Sequence, residues 1–199
     1  MDKEKKKYIF LISIVVIGIV IGIVFSNILS DNDKILVENK LTTYFLNIKN
    51  NKEINYLSNF LNSFLNNNIV LITIWILGLS IIGLVFNIFI LFFKSFVVGF
   101  GIGSIINIYL YKGIIGSIIY IFPHIIINLF VFIVLVYYAN NFSMKLFRLL
   151  FLKKDIKFKE VMNKYLKILL YAFFLLLISS ILETFLSPII TKLFTFMLD

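Results

Sequence analysis

Five long apolar stretches constrain this chain more than any other feature. A helix needs about 20 apolar residues to cross the hydrocarbon core of a bilayer, and the stretches that qualify are roughly residues 8–29, 68–93, 95–111, 113–139 and 165–187. The composition agrees, because 61% of the 199 residues are hydrophobic and the mean hydropathy is +1.03, whereas a soluble domain is about half apolar. The sequence therefore predicts an all-α, multi-pass protein of the cell membrane, folded as one membrane domain over residues 1–199.

Two of the five predicted spans lie almost directly next to each other. Only Lys94 and its immediate neighbours separate the second stretch from the third. The two stretches are therefore expected to form either a tight hairpin or a re-entrant pair.

The basic residues predict how the chain is oriented in the membrane. Lys and Arg favour cytoplasmic loops, and with a cytoplasmic N-terminus thirteen of the 19 basic residues fall inside, mainly before the first span, at Lys94 and around a basic loop of about residues 140–164. Five spans then place the C-terminus outside the cell. The net charge of +9 is thereby explained by orientation and by contact with anionic membrane lipids, and no nucleic-acid partner is expected.

The largest segment outside the membrane is an extracytoplasmic loop of about residues 30–67. Apolar residues recur in it at helical spacing, first at Val37, Leu41, Tyr44, Phe45 and Ile48, and then at Ile54, Leu57, Leu61, Phe64 and Leu65. The pattern predicts two short amphipathic helices on the outer leaflet. They either pack on the membrane surface or offer a docking surface to an extracytoplasmic partner, and the two roles are compatible.

Two pairs of glycines have the spacing that brings membrane helices together. Gly18 and Gly22 lie four residues apart in the first span, and Gly99 and Gly103 repeat this spacing in the third. Glycine lets two helix backbones approach closely in lipid. The pairs are expected to mediate packing within the chain, with self-association or packing against another membrane protein as alternatives.

A few polar residues fall at membrane depth, where they are candidates for function by default. From a rise of about 1.5 Å per residue, Asn107 and His124 lie on the order of 20 Å above the inner ends of their spans and Glu183 slightly higher, while Asn128 lies lower. We therefore expect His124, Asn107 and Glu183 to face the bundle interior at a similar depth.

Pro123 and His124 are the most unusual pair in the apolar part of the chain. Pro123 lacks an N–H group and should kink the fourth span. His124, the only histidine, then acts as a structural hydrogen-bonding group, as part of a proton relay or in catalysis. The sequence has no cysteine and no recognisable catalytic or phosphate-binding motif. We expect no enzyme activity, cofactor, metal or small-molecule substrate.

Four stretches of the sequence resemble the stage II sporulation protein M family of endospore-forming bacteria. The last of them carries the acidic residue and the Ser-Pro pair of the family's C-terminal signature, here Glu183, Ser187 and Pro188. The four stretches are WILGLSIIGLVFNIFILFFKSFVVGFGIGS, YKGIIGSIIYIFPHIIINLFVF, NNFSMKLFRLLF and LLLISSILETFLSPIITKLF. The likeness covers nearly the whole chain.

The resemblance implies a non-enzymatic membrane scaffold of the sporulation engulfment machinery. Such a protein acts at the sporulation septum and in the mother-cell membrane around the forespore. Its implied partners are stage II sporulation proteins D and P, two peptidoglycan hydrolases that it recruits and anchors for remodelling of the wall. The residues leave one alternative, a small transporter or proton-coupled permease in which His124 and Glu183 line a pathway.

Overall fold

Six α-helices account for nearly all of the residues that the structure describes. The computed structural model describes residues 3–49, 55–121, 123–152 and 157–198. Residues 196–198 are described by their backbone only. The helices are α1 (Lys3–Ile28), α2 (Asp31–Lys49), α3 (Tyr56–Gly78), α4 (Gly83–Ile121), α5 (His124–Phe151) and α6 (Phe158–Leu198). All except α2 are long and apolar enough to cross a membrane. The predicted all-α fold with five membrane helices is confirmed.

Apolar side chains cover the outside of the bundle as well as its centre. The centre consists of side chains that are almost completely buried, among them Leu71, Ile74, Leu91, Leu135 and Leu176. On the outside, Val16 and Val20 of α1 are each 53% exposed. Exposed apolar area costs about 25 cal/mol per Å² in water but nothing comparable in lipid, so this outer belt fits a membrane environment.

The boundary between the second and third spans differs from the prediction. The chain turns at residues 79–82, in the middle of the predicted second span, and α4 continues through Lys94 without a break. Glycine makes the turn possible, since a Cβ atom at Gly78 would lie 2.8 Å from the Ala139 Cβ and one at Gly83 would overlap the Leu77 carbonyl. Lys94 therefore lies inside a membrane helix and not in a cytoplasmic loop.

Helix α4 folds back on itself at Leu110. This residue has φ 51° and ψ −127°, a combination that is costly for any residue except glycine. Residues 111–121, here called the returning segment, then run beside the preceding residues, because a Cβ atom at Gly113 would lie 2.7 Å from the Ile106 Cα and one at Gly101 would lie 2.9 Å from the Tyr120 ring. The returning segment is about 16 Å long, roughly half the thickness of the hydrocarbon core.

The predicted fourth span is broken rather than kinked. The returning segment ends at Ile121 and α5 begins at His124, with Pro123 as its N-cap residue. Proline is tolerated at the start of a helix because the N–H group it lacks has no partner there. The returning segment and α5 together form one discontinuous crossing.

The two segments predicted outside the membrane are mostly helical. In the loop of residues 30–67, α2 packs through Phe45 and Ile48, which are buried. Residues 56–67 are the first turns of α3 and not a second surface helix, and Ile54 lies outside the described residues. In the loop of residues 140–164, α5 continues to Phe151, whereas Lys153 and Lys154 lie outside the described residues.

Candidate functional site: a polar cavity inside the bundle

The first half of α3 turns a polar face towards a cavity between the helices. Four polar residues at positions i, i+3, i+4 and i+7 line this open cavity, namely Asn59, Asn62, Ser63 and Asn66. Ser63 is buried and the three asparagines are exposed. Leu57 and Leu65 point outwards and are 69% and 54% exposed. Since positions three and four apart share one side of a helix, this spacing places the amides and the hydroxyl together. The usual pattern of a soluble helix is thus inverted.

Glu183 of α6 faces this polar stripe. Its Oε2 atom accepts a hydrogen bond from the Ser63 Oγ at 2.5 Å, and the Ser63 and Ser180 hydroxyl oxygens lie 3.3 Å apart. A carboxylate away from water is stable only when hydrogen-bonded or paired. Ser63 therefore provides part of the stabilisation that Glu183 needs at this depth.

The break between the returning segment and α5 opens on the same cavity. The buried His124 ring places Nδ1 at 3.1 Å from the Ser187 Oγ. The His124 carbonyl accepts a hydrogen bond from the Ser179 Oγ at 3.0 Å. Irregular backbone is tolerated at membrane depth only where it is buried in protein or lines a cavity. Here the Ser179 hydroxyl of α6 satisfies the backbone carbonyl at the break.

The cavity has two lobes that meet at the His124 and Glu183 side chains. The larger lobe has a volume of about 460 Å³ and extends below α2. The smaller lobe has a volume of about 230 Å³ and is lined in addition by Lys94 and Asn128. Ser63, Asn66 and Tyr120 also line both lobes. A space of this size is sufficient for several water molecules or a small polar solute.

Two opposite charges face this cavity without pairing with each other. Lys94 and Glu183 are both described by the structure and form no ion pair. The Lys94 ammonium instead lies 5.9 Å from the centroid of the Phe132 ring. A charge at membrane depth is costly and marks a candidate site. The arrangement is suited to binding a polar or charged group or to holding a proton.

One end of the larger lobe is covered by α2. Leu41, Tyr44 and Phe45 line it, and the Phe45 ring lies 5.5 Å from that of Tyr109 and 5.4 Å from that of Phe194. Burial raises the pKa of the Tyr44 phenol, and the charge of Glu183 acts in the same direction. Tyr44 therefore stays a neutral hydrogen-bond donor at physiological pH.

The structure brings together most of the predicted polar residues. His124 and Glu183 share the cavity as expected, Asn128 lines its smaller lobe, and Pro188 lines its larger lobe from within α6. The Asn128 Oδ1 is buried and has no hydrogen-bond partner.

The prediction for Asn107 is wrong. Its side chain is exposed on another face of α4 and its Nδ2 donates to the Ser26 Oγ at 3.2 Å. Asn107 lies four residues after Gly103, on the side of α4 that packs against α1.

The glycine pairs of α1 and α4 lie against each other. A Cβ atom at Gly18 would lie 2.8 Å from the Phe92 carbonyl oxygen, and one at Gly99 would lie 2.7 Å from the Ile19 carbonyl carbon. Gly22 faces the Phe96 carbonyl, and Gly103 faces Ser26 and Ile23. The two motifs thus form a single interface within the chain, in which backbone touches backbone.

Lys94 and the polar stripe of α3 are the site residues that the sequence analysis missed. The stripe carried a usable signal, because LSNFLNSFLNNN repeats its polar residues at helical spacing. Lys94 was assigned to a loop because the turn at residues 79–82 has no polar residue except Ser80. Among the described residues, no group of His, Asp and Glu has the arrangement of a metal site.

These features define a class, that of multi-pass helical membrane proteins with a polar, partly charged interior and a broken helix at mid-depth. The comparison with protein families then gives the particular family, because the model for stage II sporulation protein M matches residues 10–188. The chain belongs to that family. No curated protein and no solved structure matches it.

Proposed function

We propose that this sporulation membrane protein is a non-enzymatic scaffold of the engulfment machinery. It recruits stage II sporulation proteins D and P and anchors these peptidoglycan hydrolases at the septum and in the mother-cell membrane around the forespore. The observation that carries the proposal is the family match over residues 10–188. The hydrolases act on the wall, so the recruiting surface belongs on the extracytoplasmic side.

Helix α2 supports the proposal as the recruiting surface. In the predicted orientation it lies outside the cell, and it is held on the bundle through Phe45 and Ile48. Its other side presents Ile35 and Leu46, which are 55% and 53% exposed. These two residues lie eleven positions apart and so share one face of the helix.

The test is co-purification of the two hydrolases from sporulating cells. Ile35→Glu combined with Leu46→Glu should abolish recovery of both enzymes while leaving the thermal stability of the purified chain unchanged. The matched control, Leu152→Glu with Phe158→Glu, adds the same charge at exposed positions on the opposite end of the bundle and should leave recovery unchanged. Failure of the unaltered chain to recover either enzyme would remove the proposal.

A small transporter is the second candidate, and the polar cavity favours it. Discontinuous helices that meet at a polar site near the membrane midplane are typical of transporters, and here the break at Pro123 opens beside His124 and Glu183. Solute or proton flux into proteoliposomes would support this function if Glu183→Gln and His124→Gln both abolish it. Flux equal to that of protein-free vesicles would eliminate it.

A further inference from the structure

A second cavity lies at the opposite end of the bundle, where α1 begins. It has a volume of about 360 Å³ and is formed by the first turns of α1, the second half of α5 and the first turns of α6. Three tyrosines form much of its wall, namely Tyr8, Tyr137 and Tyr138. The Tyr8 and Tyr137 rings stack with centroids 4.1 Å apart. We call this space the basic cavity.

Positive charge dominates the lining of the basic cavity. Lys7, Lys145, Arg148 and Lys164 line it, and Glu4 is the one acidic residue among the described residues that do so. These four cations come from three helices that are distant in sequence. Like charges brought together in this way repel one another, so the arrangement favours an anionic occupant.

The contacts of two of these lysines do not neutralise their charge. The Lys7 Nζ donates to the Asn141 Oδ1 at 2.5 Å and lies 6.0 Å from the Tyr137 ring centroid. The Lys164 Nζ lies 5.8 Å from the Tyr138 ring centroid. Amides and aromatic rings orient an ammonium group but leave its positive charge in place.

Arg148 adds a donor geometry that suits phosphate. Its planar guanidinium can donate two parallel hydrogen bonds to one phosphate group. It lies one helical turn after Lys145 in α5, so both side chains extend over the same side of the helix. Both are exposed at the cavity mouth, where a ligand can reach them.

The position of the cavity selects between a lipid and a soluble ligand. Tyr side chains are enriched where a membrane protein meets the lipid head groups, and three of them line this space. Basic pockets between membrane helices bind the head groups of anionic lipids. Phe142, Val161 and Tyr165 complete the wall and provide an apolar surface next to the charges.

We propose that the basic cavity binds the head group of an anionic phospholipid. The phosphate lies between Arg148 and the lysines, and the tyrosine hydroxyls donate to its oxygens or to those of the head group. The site lies in the leaflet on the side of the N-terminus. It is independent of hydrolase recruitment and of transport, since neither function uses these residues.

The test measures lipid retained by the full-length chain in neutral detergent micelles. Phosphatidylglycerol and phosphatidylcholine are titrated separately, and bound lipid is counted by native mass spectrometry. The variant Lys145→Gln with Arg148→Gln removes two cavity charges and should weaken phosphatidylglycerol binding about 25-fold, at about fivefold for each charge. The control, Lys159→Gln with Lys167→Gln, removes two exposed charges of α6 that do not line the cavity and should change binding less than twofold.

Three results would overturn the proposal. Equal weakening by both pairs of substitutions would mean that diffuse charge holds the lipid and that the cavity does not. Equal retention of the two lipids by the unaltered chain would mean that the site does not select anions. Displacement of phosphatidylglycerol by millimolar inorganic phosphate would reassign the cavity to a soluble phosphate-bearing ligand.

Discussion

The interface between α1 and α4 allows a sharp test of the structure through a single added methyl group. At Gly22, the Cβ atom of an alanine would overlap the Phe96 carbonyl oxygen and lie 2.7 Å from the Phe100 nitrogen. These obstacles belong to the backbone of α4, so no side chain can rotate away to make room. The helices must move apart, and contacts along the whole glycine interface are then weakened.

Two effects of opposite sign determine the result of Gly22→Ala. Overpacking of this kind costs typically about 1–3 kcal/mol, and alanine favours a helix interior over glycine by about 1 kcal/mol. Because the clash is with backbone, we expect the cost of overpacking to exceed the gain from the higher helix propensity of alanine. The free energy of unfolding should therefore fall by about 1–2 kcal/mol. Gly99→Ala, which meets the Ile19 backbone, should act similarly, and the double variant should lose less than the sum.

The assay is unfolding by a denaturing detergent, followed by the fluorescence of the single tryptophan. Trp75 stacks on Tyr165 with ring centroids 5.5 Å apart, so its emission should change when the bundle opens. Val20→Ile is the control, since it adds one carbon to α1 on the exposed face and should leave stability within about 0.5 kcal/mol. The reasoning is refuted if Gly22→Ala is as stable as the unaltered chain or if the control loses as much.

Three further predictions use the same unfolding assay. Leu110→Gly should raise the free energy of unfolding by about 1 kcal/mol, because glycine adopts the positive φ of this exposed residue without strain. The control, Ile114→Gly, replaces an exposed residue of the returning segment and should lower the free energy of unfolding by about as much. Asn55→Ala removes the N-cap oxygen that accepts from the Ser58 N–H at 3.0 Å and should cost about 1 kcal/mol. Ser63→Ala removes a donor to the Glu183 carboxylate and should cost about 2 kcal/mol, with a smaller cost when Glu183→Gln is already present. An unchanged unfolding midpoint in any of the three would contradict the contact concerned.

Hydropathy predicted the number of membrane helices but not where they end. The turn at residues 79–82 lies in GLSIIGL, which is as apolar as the spans around it, so a window average runs through it. The reversal at Leu110 lies next to the predicted boundary at residues 111–113, but nothing in the sequence there indicates that the chain folds back as a half-length segment. In both places tertiary packing determines the boundary: through Ala139 and Tyr165 beside Gly78, and through Ile106 beside Gly113.

The depth of the polar residues could be predicted better than their direction. His124 and Glu183 meet as expected because the rise of a helix is nearly constant, so distance along the chain gives height. To predict the direction in which a side chain points, one face of its helix must already be assigned to a neighbour, and in α4 the glycines mark the face that packs against α1. Asn107 continues the spacing of Gly99 and Gly103 and therefore points to α1, away from the cavity.

The polar interior of this bundle requires an explanation beyond packing. A buried charge costs several kcal/mol even after relaxation, and Lys94 and Glu183 face one cavity without pairing. Leucine or methionine at these positions would hold five helices together at lower cost, as the Leu71, Ile74 and Leu135 core does. The glycine interface, with its close backbone contacts, offsets part of that cost. A bundle that is stabilised at one interface and left polar and open at another is organised around the cavity, and the charges of Lys94 and Glu183 therefore indicate a role for this cavity beyond packing.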